Sequence, residues 1–265
     1  MKIKVLVAAT ALAVSSLAQA GSILIVNGSS GTSEPTTTAE LTTNLQTLHL
    51  AVGNTVNIVS DIPVSLAGYS QVWDVRFSNN FALNGAQQSQ YKSFLQSGGG
   101  MFLMGENSSF MTRNTSIFDF VNLVGGGVLG PNLVGSCDGT QNVIGSFQGP
   151  NAVTSVNFPC SGVVASSGTG HWITERADHT GGSGIAWGVG DLADALDGAL
   201  TTIFDVNFMQ GTYGDNLQNL TKNLIGFIGD QVDPPSRVSE PEGLALLGLG
   251  LLGLGLSRRR KMAVC

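Results

Sequence analysis

Apolar positions along the chain come in short runs whose period switches between continuous and nearly four. Residues 22–27 (SILIVN) form an apolar run closed by Gly28, Ser29, Ser30 and Gly31, the pattern of a buried strand ending in a turn. After Pro35 the period lengthens, and Leu41, Leu45 and Leu48 share one face over residues 36–50, which predicts a helix. Residues 55–60 (TVNIVS) and 71–75 (QVWDV) read as strands, and residues 85–96 as a helix carrying Tyr91, Phe94 and Leu95. Gly98-Gly99-Gly100 stops that helix before a strand over 101–104. The alternation returns at 200–208 (LTTIFDVNF), a strand, followed by a helix capped near Gly214-Asp215-Asn216 that runs through Leu217, Leu220, Leu224 and Phe227.

Short strands alternating with helices need a sheet covered on both faces, so the expected fold class is α/β with a mostly parallel, doubly wound sheet. A β-sandwich would leave the helical leucine spacing without a reason. Between 125 and 198 the texture changes to Gly-, Val- and Ser-rich pieces (QNVIGSF, AVTSVNF, SGVVASS), which predicts a β- and loop-rich insertion. Residues 231–237 hold Pro234 and Pro235 without apolar periodicity and read as a linker, so the domain is expected to run from 21 to 230.

Two further apolar runs lie at the ends. Residues 5–14 follow Lys2 and Lys4 and precede Ala18-Gln19-Ala20, the order of a secretory signal peptide over 1–20; the small Ala18 and Ala20 predict cleavage by signal peptidase before Gly21. Residues 243–256 (GLALLGLGLLGLGL) carry no charge and are followed by Arg258, Arg259, Arg260 and Lys261. As a helix this stretch would span about 21 Å against a hydrocarbon core of roughly 30 Å, a mismatch that local bilayer thinning absorbs. The expectation is a transmembrane span of the inner membrane, with the basic cluster inside and the domain outside, where the signal peptide would deliver it.

Just ahead of that stretch stand Ser239, Glu240, Pro241 and Glu242. The order of Glu-Pro element, apolar run and Arg-rich stop resembles the PEP-CTERM sorting signal of Gram-negative bacteria over residues 238–261, with Ser239 in place of the first proline. The resemblance implies processing by a membrane enzyme, exosortase, near the Glu-Pro, and release or transfer to the cell surface in strains that make exopolysaccharide. A plain C-terminal anchor, left uncut, is the competing reading.

Composition narrows the partners. Charged residues make up 11% of the chain and glycine 36 of 265 positions, so the surface is neutral-polar rather than ionic. Between 21 and 237 six bases face sixteen acids, a net charge of −10, which excludes a nucleic-acid partner that would need clustered Lys and Arg. Cys265 lies beyond the basic cluster. Cys137 and Cys160 would meet an oxidising compartment after export, and a disulfide between them is the favoured expectation. Two free buried thiols remain an alternative, as does a metal pair, although no C-x-x-C or clustered histidine accompanies them.

Residues 92–110 (KSFLQSGGGMFLMGENSSF) and 203–228 (IFDVNFMQGTYGDNLQNLTKNLIGFI) resemble the class I glutamine amidotransferase-like fold, a flavodoxin-like arrangement, over roughly 22–124 and 198–228. In that fold the strand after the Gly-Gly-Gly turn ends in an elbow bearing a Cys nucleophile. Here the elbow position is Glu106, in Met104-Gly105-Glu106-Asn107, and a carboxylate cannot perform thiol chemistry, so the resemblance argues against amidotransferase activity. Glu106 is a candidate general acid or base at a strand's carboxyl end, or else a turn carboxylate bonded to a helix start. His171 and His179 flank Trp172, Glu175, Arg176 and Asp178, a candidate metal or hydrolytic site or a polar loop over the sheet. Asp191, Asp194 and Asp197 recur every third position but lack the order of a calcium loop, and a solvated helix face is the simpler reading. Asp205 and Asp215 suit either pocket carboxylates or caps. No phosphate-binding loop, serine elbow or dinucleotide fingerprint is present, and no cofactor is called for.

Three functions follow as expectations. The first is a non-catalytic exported protein of the cell surface or matrix, associated with exopolysaccharide or biofilm. The second is a surface hydrolase acting on matrix sugar or peptide through Glu106 with His171 or Asp205. The third is a glycan-binding module lined by Trp73, Trp172 or Trp187.

Overall fold

The chain alternates strand and helix from Ser22 to Leu123 and then changes to strand after strand, and both halves build one sheet. The computed structural model describes residues 21–29, 31–130 and 134–232. The expected signal peptide with Ala18 and Ala20 lies outside the described residues, as do most of the linker and the sorting signal over 238–261.

The first half runs β1 (Ser22–Val26), α1 (Pro35–Ala51), β2 (Thr55–Val59), β3 (Gln71–Asp74), α2 (Gly85–Gln96), β4 (Gly100–Gly105) and α3 (Met111–Leu123). Next come β5 (Val134–Val143), β6 (Ser155–Val163), β7 (His171–Arg176) and β8 (Gly184–Trp187), and β9 (Ala199–Phe204) and α4 (Asp215–Val232) close the domain. The nine strands lie in the order β2-β1-β3-β4-β9-β8-β7-β5-β6. From β2 to β9 every pairing is parallel, and from β9 to β6 every pairing is antiparallel.

The expectation of a mostly parallel sheet is corrected by this count of four parallel and four antiparallel pairings. The reason lies in the links. Parallel neighbours need a crossover of a dozen or more residues, usually a helix, and the segments joining β5 to β9 are shorter and contain no α-helix. The Gly-rich stretch is therefore not a separate body; its strands extend the same sheet by antiparallel pairing.

Strand alternation sorts the apolar side chains into two layers. Ile23, Ile25, Trp73 and Phe102 face α1 and α4, meeting Leu41, Leu45, Leu220, Leu224 and Ile228. Leu24, Val26, Val72 and Leu103 face the other way, onto Tyr91 and Leu95 of α2 and Ile117 and Phe120 of α3. Val143, Phe147, Val156 and Phe158 of the antiparallel half join the α1 and α4 layer. Phe158 of β6 stands edge-on to Phe208, 6.3 Å between ring centroids, so β6 returns to the carboxyl end of β9.

The helix starts follow capping chemistry. Asn84 accepts from the amides of Ala86 and Gln87 while Gln87 Oε1 accepts from the Asn84 amide, a reciprocal box that fixes the first turn of α2. The pattern reading missed α3. Arg113, Asn114 and Ser116 of that helix are buried alongside Ile117 and Phe120, so its inward face is half polar and shows no clean apolar stripe.

The expected transmembrane helix is also corrected: among the described residues no helix is long and apolar enough to cross a membrane. The stretch 243–256 on which that expectation rested lies outside them.

Candidate functional site

Open α/β sheets bind ligands beyond the carboxyl ends of their parallel strands, so the residues that follow β3, β4 and β9 are the place to look. Gly105, the last residue of β4, is paired with Phe204, the last of β9. The next residue on each strand is a carboxylate, Glu106 and Asp205, so sheet register alone brings the two acids side by side. Gly105 is required here: a Cβ would lie 2.2 Å from Phe204 Cδ1.

Asn114, buried on α3, holds the elbow by its backbone. Its Nδ2 donates to the carbonyls of Glu106 (2.8 Å) and Asn107 (3.0 Å), and its Oδ1 accepts from the Glu106 amide at 3.0 Å. The Glu106 side chain then turns inward. Its Oε1 accepts from the Asn107 amide at 2.7 Å and its Oε2 from the Val206 amide at 3.1 Å, which ties the β4 elbow to the end of β9. Asp205 reaches the insertion: Oδ2 accepts from the Cys160 amide of β6 at 3.2 Å, and Oδ1 accepts from the Phe208 amide at 3.0 Å. Asn107 Nδ2 donates to the Cys160 carbonyl at 3.3 Å, so the two backbone groups of Cys160 are held one by the elbow and one by the end of β9.

Burial sets the protonation of the pair. Glu106 is 3% exposed and Asp205 is fully buried. Burial pushes the Glu106 carboxyl up, the neighbouring Asp205 charge adds to that, and the two amides only partly offset it, leaving it at about 8. Burial raises Asp205 to about 6 against the amides of Cys160, Phe208 and Asn207. Near pH 7 the pair therefore carries one negative charge, with the proton on Glu106. Both groups bind a proton more tightly folded than unfolded. Their stabilisation is complete below about pH 4 and is lost as pH rises through about 6 for Asp205 and about 8 for Glu106.

A second buried cluster follows β3, which the sequence reading did not single out. Asp74 is fully buried and takes a bidentate pair of bonds from Arg76, Nε to Oδ1 and Nη2 to Oδ2, each 2.8 Å. Tyr91 donates its hydroxyl to Asp74 Oδ2 at 3.0 Å. Arg113 Nη2 lies 3.3 Å from the same oxygen, an ion-pair contact without hydrogen-bond geometry, while its Nε and Nη1 donate to the carbonyls of Met104 and Phe81. Burial alone would raise the Asp74 carboxyl, but the Arg113 and Arg76 guanidiniums outweigh it and hold it well below the usual carboxylate range. The signal for this cluster was present: in a domain with five bases, Arg76 directly follows the predicted strand 71–75 and Arg113 comes seven residues after the elbow glutamate.

The other candidates do not converge on Glu106. His171 begins β7 opposite Ala186, which pairs with Thr201 near the amino end of β9, whereas Glu106 and Asp205 lie past the carboxyl end. Its Nε2 is 3.7 Å from Asp191 Oδ2 at the surface. Residues 171–176 form a strand, not the loop the sequence suggested, and His179 follows in an exposed turn bonded to Glu175 at 3.0 Å. Asp191, Asp194 and Asp197 lie in a turn-rich loop rather than on a helix; Asp191 Oδ2 accepts from the Gly188 amide at 2.8 Å, and Asp194 and Asp197 are exposed. Among the described residues no group of three acidic, histidine or cysteine side chains is arranged to hold a metal. Asp215 opens α4. Trp73 and Trp187 are fully buried and line no open site, while Trp172 borders a cavity of about 320 Å³ with Phe147, Phe227, His171 and Asp191. Cys137 and Cys160 sit opposite one another on β5 and β6 and are joined by a disulfide.

No protein-family model matches the chain, and no curated protein does. Solved structures do. A ThuA-like protein from Bacteroides uniformis ATCC 8492 superposes with a TM-score of 0.54 at 11% identity, covering 81% of this chain and 94% of that one. The N-terminal domain of mmIFT52 gives 0.53 at 13% identity, covering 80% of this chain and 97% of its own. The likeness is one of α/β fold alone. At such identities it says nothing of what the elbow does, which has to be argued from the residues.

Proposed function

We propose that this chain is an exported, non-catalytic protein of the cell surface or extracellular matrix, whose α/β domain is of the class I glutamine amidotransferase-like kind with its elbow converted into a structural staple. The observation that carries the reading is the state of Glu106. At the position where that fold bears its nucleophile stands a buried carboxyl whose two oxygens are both engaged by backbone amides and which shares a single charge with Asp205. A protonated and an ionised carboxyl side by side resemble an acid and base pair. Hydrolysis through them, however, would need substrate to reach groups that lie beneath β6. The order β2-β1-β3-β4-β9, with a switch point between β1 and β3, supports the flavodoxin-like assignment.

Export is supported by the disulfide, which suits an oxidising compartment, and by the signal-peptide pattern of residues 1–20. Sorting by exosortase rests on the sequence of residues 238–261 and its resemblance to the PEP-CTERM signal. The matching test is mass spectrometry of both ends of the native protein in cells with and without a working exosortase. The expected product begins at Gly21 and has lost its tail near Glu240-Pro241 only when exosortase is active. Recovery of the intact chain from Met1 to Cys265 in the cytosol would overturn export and sorting together.

A further inference from the structure

Beyond that reading, and independent of whether the chain is exported, the geometry around Cys160 describes a movable part. Strand β5 pairs with β6 from Val134 to Asn142, but with β7 only through Gln141, Asn142 and Val143. From Thr140 back to Val134 the two strands therefore form a ribbon with no third strand paired to β5 among the described residues, and a bridge between Val164, just past β6, and Gly182 ties its far end to the sheet. A two-stranded ribbon is marginally stable by itself and depends on what it rests on. The Cys137–Cys160 disulfide locks its two strands to each other, so it moves as a unit.

What it rests on is the elbow. The outward backbone groups of β6 at Cys160, which an edge strand would otherwise leave unpaired, are taken by Asp205 Oδ2 and by Asn107 Nδ2. Asp205 and Asn107 are in turn set by Glu106, which accepts from the amide of Asn107 itself and from that of Val206, the residue after Asp205. Three loops meet at one carboxyl group. We propose that the β5–β6 arm is a lid held shut while Glu106 keeps its proton, and that ionisation of Glu106 releases the arm from the carboxyl ends of β4 and β9.

The charges around Glu106 favour this direction. Asp205 faces it from the end of β9 and Glu34 from the start of α1, both negative. The nearby cations Arg76 and Arg113 are engaged with Asp74. A second charge on Glu106 therefore meets two like charges in a buried space, which the amides of Asn107 and Val206 only partly offset, and lifting β6 is the way to admit water to it. Phe158, buried against Phe208, resists the motion, so the open form is a minor population whose size depends on pH.

Amide hydrogen exchange on the disulfide-bonded chain tests this. With Glu106 at about 8 when covered and near an ordinary glutamate when uncovered, protection of the ribbon amides around Cys160, corrected for intrinsic base catalysis, falls roughly tenfold from pH 7 to pH 9. Protection of β1, β3 and β4 stays level over the same range. Asp205, at about 6, and His49, lowered by burial to about 3, titrate below this window. Glu106→Gln should flatten the ribbon's pH dependence, and Asn107→Ala should lower its protection at every pH without changing the slope. Ribbon protection that does not change with pH overturns the lid, and so does a loss spread evenly over the whole sheet. Both outcomes are read on the wild-type chain, so the test stands even if a variant fails to fold.

Discussion

Replacing Asp74 by Ala lowers the free energy of unfolding by about 3–5 kcal/mol, because it strands buried guanidiniums that have no other buried carboxylate partner among the described residues. Arg76 is 2% exposed and Arg113 fully buried; among the described residues their one carboxylate partner besides Asp74 is Asp61, which pairs with Arg76 and is 74% exposed. Tyr91 loses the acceptor for its buried hydroxyl in the same step. The cluster ties β3 to α2 through Tyr91 and to α3 through Arg113, so the damage is cooperative rather than local. Urea unfolding near neutral pH reads the effect. A loss under about 1 kcal/mol would mean that water reaches the guanidiniums and that the end of β3 is open. The acid side gives a second sign: Asp74 is held below the usual carboxylate range, so its contribution is present above about pH 4 and disappears only in stronger acid.

Removing the disulfide by replacing Cys137 and Cys160 together with Ser costs roughly 3 kcal/mol, the chain-entropy value for a closed loop whose ends are 23 residues apart. The same change removes the covalent tie between the two strands of the ribbon and leaves only their backbone pairing, so proteolytic nicking should begin between about 134 and 163 before the rest of the sheet is touched. An unaltered urea midpoint after reduction would contradict the structural role. The two losses should add, since the Asp74 cluster and the disulfide share no hydrogen-bond partner.

How far the sequence could be read depended on whether period or position carried the information. Helices α1, α2 and α4 each present an apolar face, and β1, β2, β3, β4 and β9 are short apolar runs between turn residues, so the pattern found them all. Helix α3 escaped because Arg113, Asn114 and Ser116 occupy its inward face, where they serve the elbow and the Asp74 cluster instead of an oily core. The direction of β5 to β8 escaped because apolar runs do not encode strand polarity; only the lengths of their helix-free links did. At the site, the Gly-Glu pair at the end of β4 was legible as an elbow, and Asp205 as a strand-end acid. That the two lie abreast depends on the register Gly105 with Phe204, a contact between residues about a hundred positions apart. That β6 covers them depends on an insertion whose path no local period announces. The tryptophans misled for a related reason: Trp73 and Trp187 lie on strands buried on both faces, where a large aromatic fills core rather than facing a ligand.

The protonation of Glu106 is the point on which the closed elbow, the structural reading and the lid all turn, and it can be observed at the atom. Carbon-13 spectra of the glutamate carboxyls, with the Glu106 signal identified by its absence in Glu106→Gln, follow each group through a pH titration. The expected midpoint for Glu106 is about 8. A midpoint between roughly 4 and 5, the range of a glutamate in water, would contradict it and show the elbow carboxylate to be open to solvent.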